Sequence, residues 1–196
     1  MGYAIKLTGR NKKNAESLLH EVTLLLEKFK VNYALEGGTL LGIYRENRLL
    51  PWDSDVDISI LSEELLKMDE VYKELHKSNY RIRIRTFEAN DSPFQKGMTR
   101  LIKIRKKYFF GLLKGNVCLE IFIKFTDKEH VYWKVADKTM MAPKKFYENY
   151  TQIEFLNKHY TIPLLTEEYL THKYGDWKKP NKNWNASTDE LSILKN

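Results

Sequence analysis

Residues 36–60 read EGGTLLGIYRENRLLPWDSDVDISI. A short β-like run, residues 31–35, leads into this stretch, and Gly37-Gly38 then marks a tight turn with close backbone approach. Residues 39–47 carry the pattern of a short helix, and residues 48–52 form a loop around Pro51. Residues 55–61 alternate: Val56, Ile58 and Ile60 share one face of a strand, and Asp55, Asp57 and Ser59 share the other. A helix that opens directly after a glycine turn presents free N–H groups and its positive dipole end, an arrangement that suits a phosphate. Gly37, Gly38 and Thr39 are therefore the expected phosphate-binding segment.

The same stretch holds Asp53, Asp55 and Asp57 at a spacing of two. On a strand that spacing puts neighbouring carboxylates on one face, about 6–7 Å apart along the chain. Two unit charges at about 5 Å repel by about 3 kcal/mol at an effective dielectric of 20. A fold keeps such a cluster chiefly when a cation sits in it, and oxygen-only ligands favour Mg²⁺ or Mn²⁺.

Working outward, Leu18, Leu19, Val22, Leu25, Leu26 and Phe29 fall on one face of a helix, with Asn11 or Asn14 able to cap its start. Ser62 is expected to cap a second helix with Glu63 and Glu64 in its first turn and Leu65, Met68, Tyr72 and Leu75 along its length. Residues 80–87 (YRIRIRTF) alternate, with Arg81, Arg83 and Arg85 on one side, read as a solvated strand face. Residues 98–106 and 117–125 read as two more strands, with residues 111–115 between them. In the latter, VCLEIFIKF, Glu120 stands opposite the apolar face of Val117, Leu119, Ile121, Ile123 and Phe125. A carboxylate inside so apolar a strand is costly unless it binds an ion or a hydrogen-bond donor, so Glu120 is a third candidate metal ligand. Residues 160–164 look extended, Thr166 is the expected cap of a helix over 167–174, and Gly175 stops it. The last twenty residues read as irregular. These elements describe one α+β domain over residues 1–196, with a small mixed sheet flanked by helices.

Lys plus Arg outnumber Asp plus Glu by 33 to 26 among 196 residues, for a net charge of +7. The excess points to an anionic partner: nucleic acid, a nucleotide, a phosphorylated glycan or a membrane surface. The single cysteine, Cys118, excludes a disulfide framework and a multi-cysteine metal site. The five histidines show no metal-ligand spacing. No run approaches the roughly 18 apolar residues of a membrane span, and the first residues carry no secretory h-region. The expectation is a soluble, cytoplasmic protein.

Gly38-Thr39-Leu40-Leu41-Gly42, then Arg45, then Leu50-Pro51-Trp52-Asp53-x-Asp55-x-Asp57-Ile58 resembles the signature of the LicD/fukutin family. Leu119-Glu120-Ile121-Phe122 is similar to that family's third-carboxylate strand, and residues 160–177 to its C-terminal tail. The resemblance covers about residues 15–180. Ser54 and Glu120 depart from it, since Asp is usual at both. The resemblance implies a nucleotidyltransferase fold of the polymerase-β type. It also implies transfer of a phospho-alcohol, phosphocholine foremost, from a CDP-activated donor to a hydroxyl of a cell-surface or lipid-linked glycan, with CMP leaving. Such work, in lipopolysaccharide, capsule or teichoic acid modification, would take place in the cytoplasm or at the inner face of the membrane.

In that scheme Asp55 and Asp57 hold Mg²⁺ or Mn²⁺ on the diphosphate, with Asp53 beside them. Glu120 binds a second metal or takes the acceptor's proton. Arg45 contacts phosphate, and Trp52, Tyr174 and Trp177 stack on the base or surround a choline methyl group. A CDP-glycerol or CDP-ribitol donor is the near variant, and an NTP-dependent nucleotidyltransferase shares the fold. The non-enzyme alternative is a basic RNA-binding module built on Arg81, Arg83 and Arg85 and the tract from Arg100 to Lys107 with Tyr108, Phe109 and Phe110. The acidic cluster argues against it, and no nucleic-acid partner is expected.

Overall fold

β2 (Val56–Leu61) and β6 (Leu119–Thr126) pair in parallel at the centre of the sheet, with Val56 beside Leu119 and Ile58 beside Ile121. The computed structural model describes residues 5–108 and 112–194. Phe109 and Phe110 of the basic tract, and Gly111, lie outside them. On one side of the central pair, β1 (Ala34–Leu35) runs antiparallel to β2. On the other, β4 (Thr99–Tyr108) runs antiparallel to β6, and β3 (Tyr80–Thr86) runs antiparallel to β4 at the edge. The order is β1-β2-β6-β4-β3, with the two-residue β5 (Leu113–Lys114) paired to the end of β4. A hairpin of β7 (His130–Val135) and β8 (Lys138–Pro143) continues from the end of β6, and β9 (Tyr150–Phe155) and β10 (Lys158–Pro163) form a separate hairpin. This is an α+β architecture with a mixed sheet.

The alternation of apolar residues fixes which face is covered. Val56, Ile58, Ile60, Leu119, Ile121, Ile123, Ile102 and Ile104 are all buried. Onto their face pack α1 (Gly9–Lys28), through Ala15, Leu18, Leu19, Val22 and Leu26, and α3 (Met68–Lys77), through Met68, Val71 and Leu75. The opposite face of β2 and β6 carries Asp57 and Glu120. It is roofed by the start of α2 (Gly37–Glu46), by α4 (Thr166–Tyr174) and by the chain beyond it.

The differences from the sequence reading lie at element ends and in strands it did not contain, β7, β8 and β9 among them. Neither Asn11 nor Asn14 caps α1. Thr8 holds the cap position with extended backbone, and the Asn11 side chain donates to the Lys6 carbonyl instead. Ser62 is the first residue of a 3-10 turn, Ser62–Lys67, that only then becomes α3, and the cap position falls on Leu61. α2 begins at Gly37, so the two glycines form its first turn and do not precede it. Thr166 is the first helical residue of α4 and not its cap; its hydroxyl donates to the Pro163 carbonyl. Gly175, at φ +69°, stops α4 as expected. The β7–β8 hairpin and β9 went unread: KTMMAP in β8 breaks the period of two, whereas HVYWKV in β7 and YTQIEF in β9 alternate.

Ile121 sits at the centre of the sheet with no exposure, so Ile121→Ala should cost about 2–5 kcal/mol by leaving a cavity. Leu66→Ala, at a side chain 89% exposed, should change stability by no more than about 0.5 kcal/mol. Urea unfolding followed by circular dichroism measures both.

Candidate metal centre and active-site cleft

The parallel register that sets Asp57 beside Glu120 brings two carboxylates from distant parts of the chain together. Asp55 joins them from the residue just before β2. One carboxylate oxygen from each of Asp55, Asp57 and Glu120 lies within 4.8 Å of the others. Across the next pairing, Lys103 on β4 is opposite Glu120, and its Nζ donates to Glu120 Oε1 at 2.6 Å.

α2 is tied to this cluster by its first turn. The Asp57 N–H donates to Thr39 Oγ1 at 2.9 Å, and the Glu36 N–H donates to the Asp57 carbonyl at 3.1 Å. Gly37 has φ +56°, and a Cβ there would stand 2.6 Å from Asp57 Oδ2. A Cβ at Gly38 would overlap Asp53 Oδ2. The glycines thus serve two ends: they let the helix start in a left-handed turn, and they let its N-terminus press directly on the aspartates.

Burial first, then repulsion from Asp55, Asp53 and Glu120, pushes the Asp57 carboxyl well above the ordinary carboxylate range. Burial, then the charges of Asp53 and Glu120, pushes Asp55 up to about 8. Asp53 is raised as well, chiefly by burial. Lys103 supplies one positive charge to this group, which does not balance it. A compact, oxygen-only, half-buried set with excess negative charge fits a hard divalent cation, Mg²⁺ or Mn²⁺. Asp55, Asp57 and Glu120 are the residues that would hold it.

Asp53 adjoins that triad through its side-chain contact with Asp55. It lies in the loop before β2, its Oδ1 accepts from the Ser54 N–H at 2.9 Å, and its other oxygen abuts Gly38. The three aspartates are therefore not a ladder on one strand: only Asp57 lies within β2.

Behind the triad a second charge cluster is closed. Glu36, the N-cap of α2, is buried with Lys124 Nζ at 3.0 Å, Lys173 Nζ at 3.3 Å and the Tyr169 hydroxyl donating to it. Burial alone would raise its carboxyl, but the two ammonium groups and the hydroxyl overcome that and hold it at about 2. Lys124 also lies 3.3 Å from the centroid of the Trp133 ring, and burial pulls it down to about 8. Lys173 is bonded to Glu190 at 2.6 Å, which fastens the C-terminal segment to α4.

An open cleft of about 1040 Å³ lies over the triad and holds every predicted site residue except Thr39 on its lining. The structure gives several of them other partners. Thr39 is buried, and its hydroxyl positions the Asp57 backbone rather than facing the cleft. Arg45 does not present a free guanidinium: it donates to Glu46 and, at 2.8 Å, to the Trp177 carbonyl, so it braces α2 against the segment after α4. The Trp177 indole N–H is taken by Thr171 Oγ1 at 3.1 Å. Tyr174 packs on Trp184, with ring centroids 4.6 Å apart, and Lys182 Nζ lies 5.6 Å from the centroid of the Trp52 ring. Lys103, Glu36, Lys124, Lys173 and Trp184 escaped the sequence reading. Of these, only Lys103 and Lys124 left a signal, as charges at alternate positions of apolar strands.

The profile of the LicD/FKTN/FKRP nucleotidyltransferase-domain family matches residues 30–164. Ribitol-5-phosphate transferase FKTN of Homo sapiens is 27% identical over 190 residues, covering 94% of this chain and 38% of that protein. Lipopolysaccharide cholinephosphotransferase LicD of Haemophilus influenzae is 37% identical over 54 residues, covering 27% of this chain and 20% of that protein. A crystal structure of ANT(2")-Ia in complex with adenylyl-2"-tobramycin overlays with a TM-score of 0.44 at 12% identity, over 87% of this chain and 81% of that one. The chain belongs to the LicD/FKTN/FKRP family. It spans well under half the length of the fukutin relatives it matches.

The carboxyl cluster sets an expected pH dependence. An acid whose folded-state pKa is raised favours the fold while protonated and loses that contribution as pH rises through the folded value. For Asp55 the window runs from its ordinary 3.8 to about 8. Metal-free protein should therefore lose melting temperature from pH 5 to pH 8, and Asp57→Asn should raise the melting temperature at pH 8 and flatten the slope. Mn²⁺ at about 100 times its dissociation constant should add about 2.7 kcal/mol to the wild type and far less to Asp57→Asn. Differential scanning fluorimetry with and without Mn²⁺ reads all of these.

Proposed function

We propose that this domain catalyses divalent-metal-dependent transfer of a phospho-alcohol from a CDP-activated donor to a glycan hydroxyl, on a nucleotidyltransferase-type fold. The observation that carries the reading is the placement of Asp55, Asp57 and Glu120 against the first turn of α2, in one cleft. The Gly37 N–H is taken by Glu36 Oε1 at 3.1 Å; the other first-turn N–H groups have no intrahelical acceptor and favour an anion at that end, so the donor's diphosphate would lie between them and the carboxylates. A bound divalent cation would supply charge neutralisation on the diphosphate oxygens. The acceptor oxygen attacks the phosphorus that bears the alcohol, the P–O bond to the CMP phosphate breaks, and CMP leaves with the bonding electrons. A carboxylate of the triad takes the acceptor's proton, and Lys103 orients Glu120 through its 2.6 Å bond. Positioning and charge are the protein's main contributions in such chemistry.

The cleft favours a polyol head group over choline. Choline would need open aromatic faces. Trp52 already has Lys182 near its ring, Trp177 has Lys178 at 5.3 Å, and Tyr174 is covered by Trp184. Asn181, Asn183, Asn185 and Ser187 line the same wall and offer hydrogen bonds that match hydroxyl groups. The fukutin alignment over nearly the whole chain supports the same choice. The proposed site of action is the cytoplasm or the membrane's inner face. Among the described residues no helix is long and apolar enough to cross a membrane.

Chromatographic assay of CMP release tests this. With Mg²⁺ or Mn²⁺, CDP-ribitol or CDP-glycerol should be turned over in preference to CDP-choline, CTP or ATP, and EDTA should stop the reaction. Asp57→Asn and Glu120→Gln should each lower turnover by roughly 10³-fold, about 4 kcal/mol in the barrier. Pyrophosphate release from a nucleoside triphosphate, in place of CMP release, would overturn the reading.

A further inference from the structure

The chain from Arg105 to Asn116 reads RKKYFFGLLKGN, with four cations and no acidic residue. Its described part is a two-stranded ribbon. Lys107 on β4 pairs with Lys114 on β5, and Tyr108 pairs with Leu113. Directly paired residues share a face, and neighbours along a strand alternate. One face of the ribbon therefore carries the two lysines, and the other carries Tyr108 and Leu113. Leu112 is 85% exposed and Leu113 55% exposed.

The base of the ribbon is fixed to the sheet. The Lys107 N–H donates to the Asn79 carbonyl at 2.7 Å, and the Gly115 N–H donates to the Lys106 carbonyl at 2.7 Å. Arg105 donates to the carbonyls of Gly115 and Asn116. Leu112 and Leu113 thus stand at the end of a braced support, and neither belongs to the buried core. The antiparallel β4 passes the start of β6 where Ile104 pairs with Leu119. The ribbon therefore leaves the sheet at the edge where Asp57 and Glu120 stand, with Tyr108 about 17 Å along β4 from Lys103.

We infer that this ribbon docks the protein on an anionic lipid bilayer, with Leu112 and Leu113 entering the apolar boundary and Lys107 and Lys114 meeting the headgroups. Single exposed leucines such as Leu24 and Leu66 are ordinary on a protein surface. Folding gives no reason for two adjacent ones on a braced ribbon beside cations. Like charges directly opposite each other weaken a strand pair, and neither Lys107 nor Lys114 has an ion pair among the described residues. Lys106 belongs to the opposite face, where Glu21 Oε1 lies 3.4 Å from its Nζ. An anionic bilayer supplies the missing counter-charge and takes up the leucines in one contact. Tyr108 suits the boundary between the two, because its ring is apolar and its hydroxyl can stay wet. A single-stranded nucleic acid would answer the charge but not the leucines, which offer no face on which a base stacks. Nothing in this contact depends on transferase chemistry, but it selects the membrane's inner face from the two proposed sites of action.

Co-sedimentation of the full chain with vesicles tests this, using phosphatidylcholine alone and equal parts of phosphatidylcholine and phosphatidylglycerol. Wild-type protein should bind the mixed vesicles, more weakly as salt rises, and should leave the neutral ones. Lys107→Gln/Lys114→Gln should weaken that binding by roughly tenfold or more. Leu112→Ser/Leu113→Ser should weaken it by roughly tenfold or more with every charge kept. In both variants the melting temperature, its Mn²⁺-induced shift and CMP release should stay at wild-type values. Leu112→Ser alone, at the more exposed position, gives the same comparison if the double variant does not fold. Undetectable binding to mixed vesicles, equal binding to neutral ones, or wild-type binding by either double variant would overturn the inference. So would tighter, lysine-dependent binding of a single-stranded RNA oligomer, or a leucine-dependent dimer in light scattering without vesicle binding. Intact vesicle binding without CMP release would strike the transferase reading alone, so the two failures are distinguishable.

Discussion

Three carboxylates whose oxygens lie within 4.8 Å, in a half-buried place, cannot all ionise without a compensating charge. That repulsion organises the surroundings. The parallel pairing of β2 with β6 brings Asp57 and Glu120 together, and Gly37 and Gly38 remove the Cβ atoms that would push α2 away from the aspartates. Thr39 then locks the Asp57 backbone to the helix. A fold that minimised its own free energy would disperse these groups. This one spends its tightest backbone geometry on holding them close, an arrangement that could hold a metal ion.

The Glu36 cluster shows the contrasting solution two residues from Gly38. There burial is more complete, yet Lys124 and Lys173 are built in, and the carboxyl is held at about 2 while Asp55 stands at about 8. Carboxylates near the same helix terminus are pushed in opposite directions: two ammonium groups and a hydroxyl surround Glu36, while Asp55 faces other carboxylates. The compensated one is structural. It joins the start of α2, strand β6 and helix α4, and through Glu190 it holds the C-terminal segment that walls the cleft. Removing one partner from such a buried group strands the other charges, which typically costs about 3–5 kcal/mol.

Much of this was legible in the sequence because it was local. The DVDISIL alternation gave β2, the apolar spacing from Leu18 to Phe29 gave α1, and the isolated charge in VCLEIFIKF marked Glu120. What was not legible depends on pairing between distant segments. Nothing near Lys103 says that it will stand opposite Glu120, and nothing near Lys173 says that it will meet Glu36. Arg45 was read as a phosphate contact and Trp177 as a stacking residue; both line the cleft, but their polar atoms go to each other's segments and to Thr171. Composition and spacing cannot distinguish a guanidinium aimed at a ligand from one that braces two elements. The β7–β8 hairpin was missed although β7 (HVYWKV) alternates at a period of two; only its partner, KTMMAP, lacks a clear apolar and polar side in sequence.

The same reasoning bears on the net charge of +7. An excess of that size says little until the sheet assigns sides to it. Because strand side chains alternate, a one-residue slip between β3 and β4 would turn Arg81, Arg83 and Arg85 to the helix-covered face and bring the half-buried Ile82 out. The native register instead places the acidic triad, the Lys103 bridge and the arginines in sequence across one surface. The hydrophobic pattern that buries Ile102 and Ile104 is therefore also what orients the electrostatics. Core packing and substrate field are set by one alternation, so a substitution that loosens the β3–β4 register would perturb both together.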